Sequence, residues 1–226
     1  MCIYKVRNEK MLRIWNAMFV GIGGLGTITL KRVFEYAALK EPRIKKTIGA
    51  EKHGLAQREG SVDVYVRFLL ADDGDIVPEY YLTSPTIGIG EANLVIGLEP
   101  VEVLRNAKYT NKNTIFVINT NKIPPPSCIS GLSEYPSIDK IIESIKAISG
   151  SSQIISFNAT ETAIKNMNQS IYANNIMLGA AISTGAIPIS KKKIEETIKE
   201  QLKNIKENIR ALKIGYDIGK ENLDAI

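Results

Sequence analysis

The chain has 226 residues, 44% apolar and 23% charged, with 29 basic against 24 acidic side chains and a net charge of +5. That composition belongs to a globular protein with room for a sizeable core, and it excludes a disordered or fibrous chain. Two cysteines, Cys2 and Cys128, are too few for an iron–sulfur cluster, which takes about four thiolates, and make no disulfide framework.

In chain order, Met1 to Trp15 mixes Lys5, Arg7, Glu9, Lys10 and Arg13 among apolar residues and so lacks the core of a signal peptide. Arg13 to Val20 reads as a first strand, interrupted by Asn16. A helix is expected from Gly24 to about Leu39, with Leu25, Ile28, Phe34 and Ala38 facing inward; Pro42 blocks its continuation. Lys45 to Gly49 reads as a short second strand. Ser61 to Leu70 alternates, with Val62, Val64, Val66 and Phe68 on one face and Ser61, Asp63, Tyr65 and Arg67 on a less buried one. Asp72-Asp73-Gly74 signals a turn, after which Ile76-Val77-Pro78 is expected to return as the second strand of a hairpin.

Asn93 to Leu98 and Thr114 to Asn119 are apolar runs of buried-strand type around a short helix at Val101 to Ala107, and Pro124-Pro125-Pro126 imposes an extended connection. Helical spacing of Ile138, Ile141, Ile142, Ile145 and Ile148 precedes a sixth strand at Gln153 to Phe157. Asn174 to Thr184 predicts a helix whose small residues permit close packing. Ile194, Ile198, Leu202, Ile205, Ile209 and Leu212 form the apolar stripe of one long charged C-terminal helix. The Lys191-Lys192-Lys193 run before Glu195-Glu196 is a solvated helix face, not a nucleic-acid patch. No uncharged apolar run approaches the roughly 18 residues of a membrane span. The expected fold is a three-layer α/β domain over residues 1–226, with a mostly parallel sheet, a β-hairpin insertion and a long C-terminal helix, in the cytoplasm.

Two segments carry chemistry. Gly21-Ile22-Gly23-Gly24-Leu25-Gly26 follows a strand and opens a helix, a context in which backbone N–H groups and the helix N-terminus meet a phosphate or another anion. A dinucleotide site would add a carboxylate about 20 residues further on; Glu51 stands 25 residues beyond Gly26. A tight turn that binds nothing is the alternative. His53, the only histidine, lies in the second segment with Gln57, Arg58 and Ser61, and a parallel sheet would bring this loop beside the glycine turn. Arg58 suits a carboxylate or phosphate, and His53 can donate a hydrogen bond or move a proton; the alternative is that Gln57 and Arg58 tie the loop to nearby backbone. With neither a nucleophile–base–acid triad nor a metal-binding set, the sequence points away from catalysis by this chain alone.

Read together, Gly21 to Gly26 and His53-Gly54-Leu55-Ala56-Gln57-Arg58-Glu59-Gly60-Ser61-Val62 resemble the G-x-G-G-Q-G and H-G-M-A-Q-R-G-G-S-V patterns of indolepyruvate oxidoreductase beta subunits, counterparts of the gamma subunit of 2-oxoacid:ferredoxin oxidoreductases. Gly97 to Arg105, Asn119 to Pro126, Gly131 to Pro136, Asn158 to Thr160 and Asn174 to Gly179 continue the resemblance in order. It covers nearly the whole chain from about Phe19; the first dozen residues (1–12) read as an extension outside the pattern.

The resemblance implies a subunit that shapes an active site within a larger complex. A large catalytic partner would carry thiamine diphosphate and iron–sulfur clusters, and the overall reaction would decarboxylate an arylpyruvate oxidatively to an acyl-coenzyme A, with electrons passing to ferredoxin. Coenzyme A would be shared at Gly21, Gly23, Gly24, Gly26, Gln57 and Ser61, with His53 and Arg58 assisting. Leu25 stands where the family has glutamine, and Glu59 where it has glycine. Two other readings stay open: an independent NAD(P)-binding oxidoreductase resting on the glycine fingerprint, and a scaffold that kept the fold without the enzymatic partner.

Overall fold

A computed structural model describes residues 12–54 and 60–224. Six strands form one sheet in the order β2-β3-β1-β4-β5-β6. These are β1 (Arg13–Ile22), β2 (Ile44–His53), β3 (Ser61–Leu70), β4 (Leu94–Gly97), β5 (Ile115–Asn119) and β6 (Ile154–Phe157). β1, β4, β5 and β6 pair in parallel, while β3 is antiparallel to both β1 and β2. Five strands therefore point one way and β3 alone is reversed.

Helices cover both faces, giving the expected three layers. On one face lie α1 (Thr27–Ala38), α5 (Ala159–Met167), α6 (Ala173–Ser183), α7 (Lys191–Gln201) and α8 (Ile205–Asp224). On the other lie α2 (Pro100–Asn106) and α4 (Ile138–Ser149); the four-residue α3 (Pro126–Ile129) sits between β5 and α4. Alternation along β1 assigns the faces: Trp15, Ala17 and Phe19 enter the first core, Met18 and Val20 the second. Trp15 stacks on Phe68 at 5.5 Å and Phe19 meets Phe34 edge-on at 4.8 Å, so strands and α1 lock through aromatic contacts.

The structure corrects several sequence expectations. Asn16 does not interrupt β1, because its buried amide donates to the Glu91 carbonyl and accepts from Arg67 Nε at 2.9 Å. Arg67 also donates to the carbonyls of Ser84 and Thr86, so the polar face of β3 is as buried as the apolar one. The hairpin exists, but its strands are β2 and β3; Ile76-Val77-Pro78 forms no strand, and Ile76 is exposed. β2 is ten residues long, reaching well past Gly49. Of the inward candidates on α1, Phe34 and Ala38 are buried but Ile28 faces solvent.

The C-terminal stripe is shared by two helices, not one. α7 ends at Gln201, Leu202 is extended, and Asn204 adopts a left-handed φ of 51°. The Asn208 side chain then satisfies the carbonyls of Lys203 and Asn204. α8 remains long at 20 residues and packs on α6, every residue of which is buried. A Cβ on Gly179 would strike the Leu212 carbonyl, and one on Gly215 the Ile176 backbone. Glycine here permits backbone-to-backbone contact. Gly215→Ala should therefore lower stability by about 1–3 kcal/mol, the usual cost of overpacking, with the loss read from the denaturant midpoint of the full chain.

Candidate functional site

β1 feeds α1 on one face of the sheet, while its parallel neighbour β4 feeds α2 on the other. Connections leaving adjacent strands in opposite directions open a crevice at their carboxyl ends, where α/β sheets bind ligands. The glycine turn follows β1 at this edge. Gly24 and Gly26 have φ of 95° and 92°, left-handed values that glycine reaches without strain. Gly26 caps α1 with no side-chain acceptor, and no acid occupies the first turn, so helix N–H groups there keep their capacity for an anion. A Cβ on Gly26 would collide with the Asn174 side chain, so this glycine also seats the start of α6.

The antiparallel β3 carries the second loop to the same edge. Ser61 pairs with Ile22 and Val62 with Gly21, and the Gly23 N–H donates to the Gly60 carbonyl at 2.9 Å. The two segments therefore meet backbone to backbone. Gln57 and Arg58, with Glu59, lie outside the described residues. His53 is on the same edge but two strands from Gly21, on the order of 10 Å by ordinary strand spacing. It is exposed and lies 3.4 Å from Glu51. Glu51 in turn bonds Lys31 of α1 at 3.2 Å. Burial disfavours ionisation of Glu51, but the hydrogen bonds from Lys31 and His53 outweigh it and hold the carboxyl below its ordinary value.

Ser61 contributes elsewhere, to a cleft of about 150 Å³ on the α2 face. Ile22 and Ser61 line it from the strand ends, Glu99, Glu102 and Arg105 from around α2, and Ile123 to Pro126 from the segment after β5. Glu99, between β4 and α2, is 1% exposed and caps α2 by accepting from the Glu102 N–H at 2.9 Å; its other oxygen accepts from the Tyr135 hydroxyl. Glu102 accepts from Arg105 at 2.7 Å, and Asp63 accepts from Asn106 at 2.8 Å. Burial raises the Glu102 carboxyl above its ordinary value, and the neighbouring Glu99 and Asp63 add to this against the opposing pull of Arg105. Burial also raises the Tyr135 phenol, reinforced by Glu99, so the phenol stays protonated and donates.

Glu99, Glu102 and Tyr135 had no role in the sequence reading, although each lies in a stretch that carried the resemblance. The available signal was Glu99-Pro100 directly after an apolar strand, an N-cap followed by proline at N1. Other stretches converge here too. Asn119, ending β5, accepts from the Ala159 N–H at 3.0 Å and donates to Thr160 Oγ1 at 2.9 Å, which fixes the start of α5.

A family model described as pyruvate ferredoxin/flavodoxin oxidoreductase matches residues 16–218. Indolepyruvate oxidoreductase subunit IorB of Archaeoglobus fulgidus is 36% identical over 204 residues, spanning 89% of this chain and 94% of that one. In fold, the chain resembles the gamma subunit of keto/oxoacid ferredoxin oxidoreductase from Geobacter sulfurreducens, with a TM-score of 0.59 and 18% identity over 91% of this chain and 98% of that one. It also resembles a 2-oxoglutarate:ferredoxin oxidoreductase of Magnetococcus marinus with 2-oxoglutarate, coenzyme A and succinyl-CoA bound, with a TM-score of 0.62 and 15% identity over 94% of this chain and 32% of that one.

The raised Glu102 has a measurable consequence. Its proton is held more tightly in the folded than in the unfolded chain, so its stabilising contribution is present at acid pH and is lost as pH rises from 4.5 through the folded-state value. Glu102→Gln stays neutral and suffers no such loss. Unfolding midpoints of the two proteins, measured between about pH 4 and pH 7, should diverge in the variant's favour as pH rises.

Proposed function

Because the chain belongs to the pyruvate ferredoxin/flavodoxin oxidoreductase family, as a subunit of a 2-oxoacid:ferredoxin oxidoreductase, we propose that it completes the coenzyme A side of an active site whose reactive cofactor sits on a larger partner. In this reading, residues 1–226 act as one gamma-type domain in a cytoplasmic complex. The 2-oxoacid is an arylpyruvate and the electron acceptor is ferredoxin. Relatives named for indolepyruvate support the aryl assignment. The described residues contain no group of three or more histidine, cysteine or acidic side chains suited to a metal, and two cysteines fall short of a cluster. In this reading thiamine diphosphate and the iron–sulfur clusters belong to the partner, as the family resemblance implies. Among the described residues no helix is long and apolar enough to cross a membrane.

The observation that carries the reading is the Gly23–Gly60 hydrogen bond, which joins the two loops at the carboxyl edge. With the Gly23 N–H engaged by Gly60, the anionic part of coenzyme A would meet the N–H groups of Gly24 and Gly26 and the uncapped start of α1. The segment bearing Gln57 and Arg58, which follows His53 at the end of β2, would flank it, orienting the ligand and excluding water, while Ser61 lines the adjoining cleft on the α2 face. Leu25, where the family has glutamine, packs against the core of the α1 face, so this position contributes apolar anchoring.

The independent NAD(P)-binding alternative is disfavoured by strand order. Glu51 lies on β2, which β3 separates from β1, and its carboxylate is engaged by Lys31. The scaffold alternative is tested by purification from native extract: a large subunit containing thiamine diphosphate and iron–sulfur clusters should accompany the chain, and its absence would favour the scaffold.

Gly24 offers the sharper test, because a Cβ there meets nothing within 4 Å and would project into open space. Asparagine tolerates positive φ better than other side chains, so at φ 95° Gly24→Asn in the assembled complex crowds the ligand at the smallest backbone strain a side chain can bring there. The KM for coenzyme A should rise by about tenfold, roughly 1.4 kcal/mol of binding, with a smaller change for the 2-oxoacid. An unchanged KM discards the glycine turn as the coenzyme site.

A further inference from the structure

The cleft has one wall unlike the others. Ile22, Ser61, Glu99 and Glu102 belong to the sheet and α2, but Ile123 to Pro126 belong to the crossing between β5 and α4. None of the residues from Asn121 to Ser137 is fully buried, and Ile129 and Leu132 are 77% and 84% exposed. From Lys122 to Pro136 the backbone bonds are internal, such as Cys128 N–H to the Pro125 carbonyl and Leu132 N–H to the Ser127 carbonyl. Ser133 Oγ likewise donates to Ser127 Oγ.

To the described remainder of the protein, the segment is tied by the Tyr135 hydroxyl, which donates to Glu99 and faces the Val101 backbone, and at its start by the Asn121 N–H, which donates to Asn119 Oδ1 at 3.3 Å. Lys122 lies over the Tyr135 ring at 5.5 Å, so the two ends of the segment close on each other at that point. Three consecutive prolines stiffen the wall, which favours movement as one piece over local bending.

We propose that residues 121–136 form a strap that opens and closes over the cleft, with Tyr135 as the latch and Glu99 as its catch. Glu99 suits that role because it is anchored: it is the N-cap of α2, its second oxygen accepting from the Glu102 N–H. Closing the latch brings Ile123 to Pro126 against the cleft, and releasing it removes that wall and opens a path from solvent. Tyr135 is thus a positioning residue, acting on the ligand through the strap. The inference rests on the proposed coenzyme A reading only for which ligand passes beneath.

Tyr135→Phe removes the hydroxyl and keeps the ring under Lys122, while Glu99→Gln leaves one acceptor oxygen for the two donors, the Tyr135 hydroxyl and the Glu102 N–H, that Glu99 serves with two. In the assembled complex, hydrogen exchange of Tyr135→Phe should quicken severalfold across residues 121–136 and stay unchanged in β4 and β5, with Glu99→Gln intermediate. The KM for coenzyme A should rise by more than kcat falls. Unchanged exchange in the strap overturns the latch. Faster exchange with a raised KM for the 2-oxoacid alone upholds the latch and removes coenzyme A from the cleft. Faster exchange with both KM values unchanged overturns the gating role.

Discussion

The ten-residue antiparallel pairing of β1 with β3 is the constraint on which the rest of the carboxyl edge depends. It sets Ile22 opposite Ser61, so the turn after β1 and the loop before β3 emerge side by side. Both faces of these strands are buried. A slip of one residue would exchange every inward side chain on each face, so the register is held by two cores at once. Trp15, Phe19, Phe34 and Phe68 oppose such a slip on one face, Met18, Val20 and Tyr65 on the other. The placement of Gly23 beside Gly60 is thus enforced by apolar contacts remote from both.

The sheet treats buried charge differently at its two ends. At the amino edge, Arg67 donates to Asn16, Ser84 and Thr86 and lies 3.4 Å from Glu91, an arrangement that fastens the loop before β4. At the carboxyl edge, Asp63, Glu99 and Glu102 gather with Arg105 half in solvent and Lys52 no nearer than 3.9 Å. Hydrogen bonds from Asn106, Tyr135 and backbone N–H groups make up part of the missing positive charge. A fully satisfied buried ion rigidifies its surroundings, whereas burial among other carboxylates raises Glu102 and makes it responsive to protons. The rigid end holds the fold, and the responsive end lines the cleft.

Sequence patterns reveal neighbours along the chain and miss partners across it. The glycine turn, β3, α6 and the parallel strands were legible because each carries its own periodicity or punctuation. Asp63 and Arg67 suggested a solvated face because Asn106 and Asn16, which satisfy them, lie 43 and 51 residues away. Tyr135 and Glu99 are 36 residues apart, too far for any spacing rule. The end of α7 was hidden because Ile198, Leu202 and Ile205 keep helical spacing across the break, while Asn204 and Asn208 make it. β2 was underestimated because an edge strand bearing Lys45, Lys46, Glu51 and Lys52 lacks the apolar run of a central one.

Strand order also decides what a glycine fingerprint recognises. In a dinucleotide fold the second strand lies beside the first, and its terminal carboxylate reaches the ribose of a ligand bound at the turn. Here β3 occupies that neighbouring place, reversed, and brings the Gly60 carbonyl and Ser61 where the ribose contact would form. Glu51 is moved one strand outward and bonded to Lys31 and His53. The anion-binding half of the motif survives, since it needs only N–H groups and a helix start, while the sugar-reading half is lost. For the proposed ligand, held by its phosphates at the turn, the remaining recognition would then have to come from other residues of the carboxyl edge, such as those lining the cleft on the α2 face.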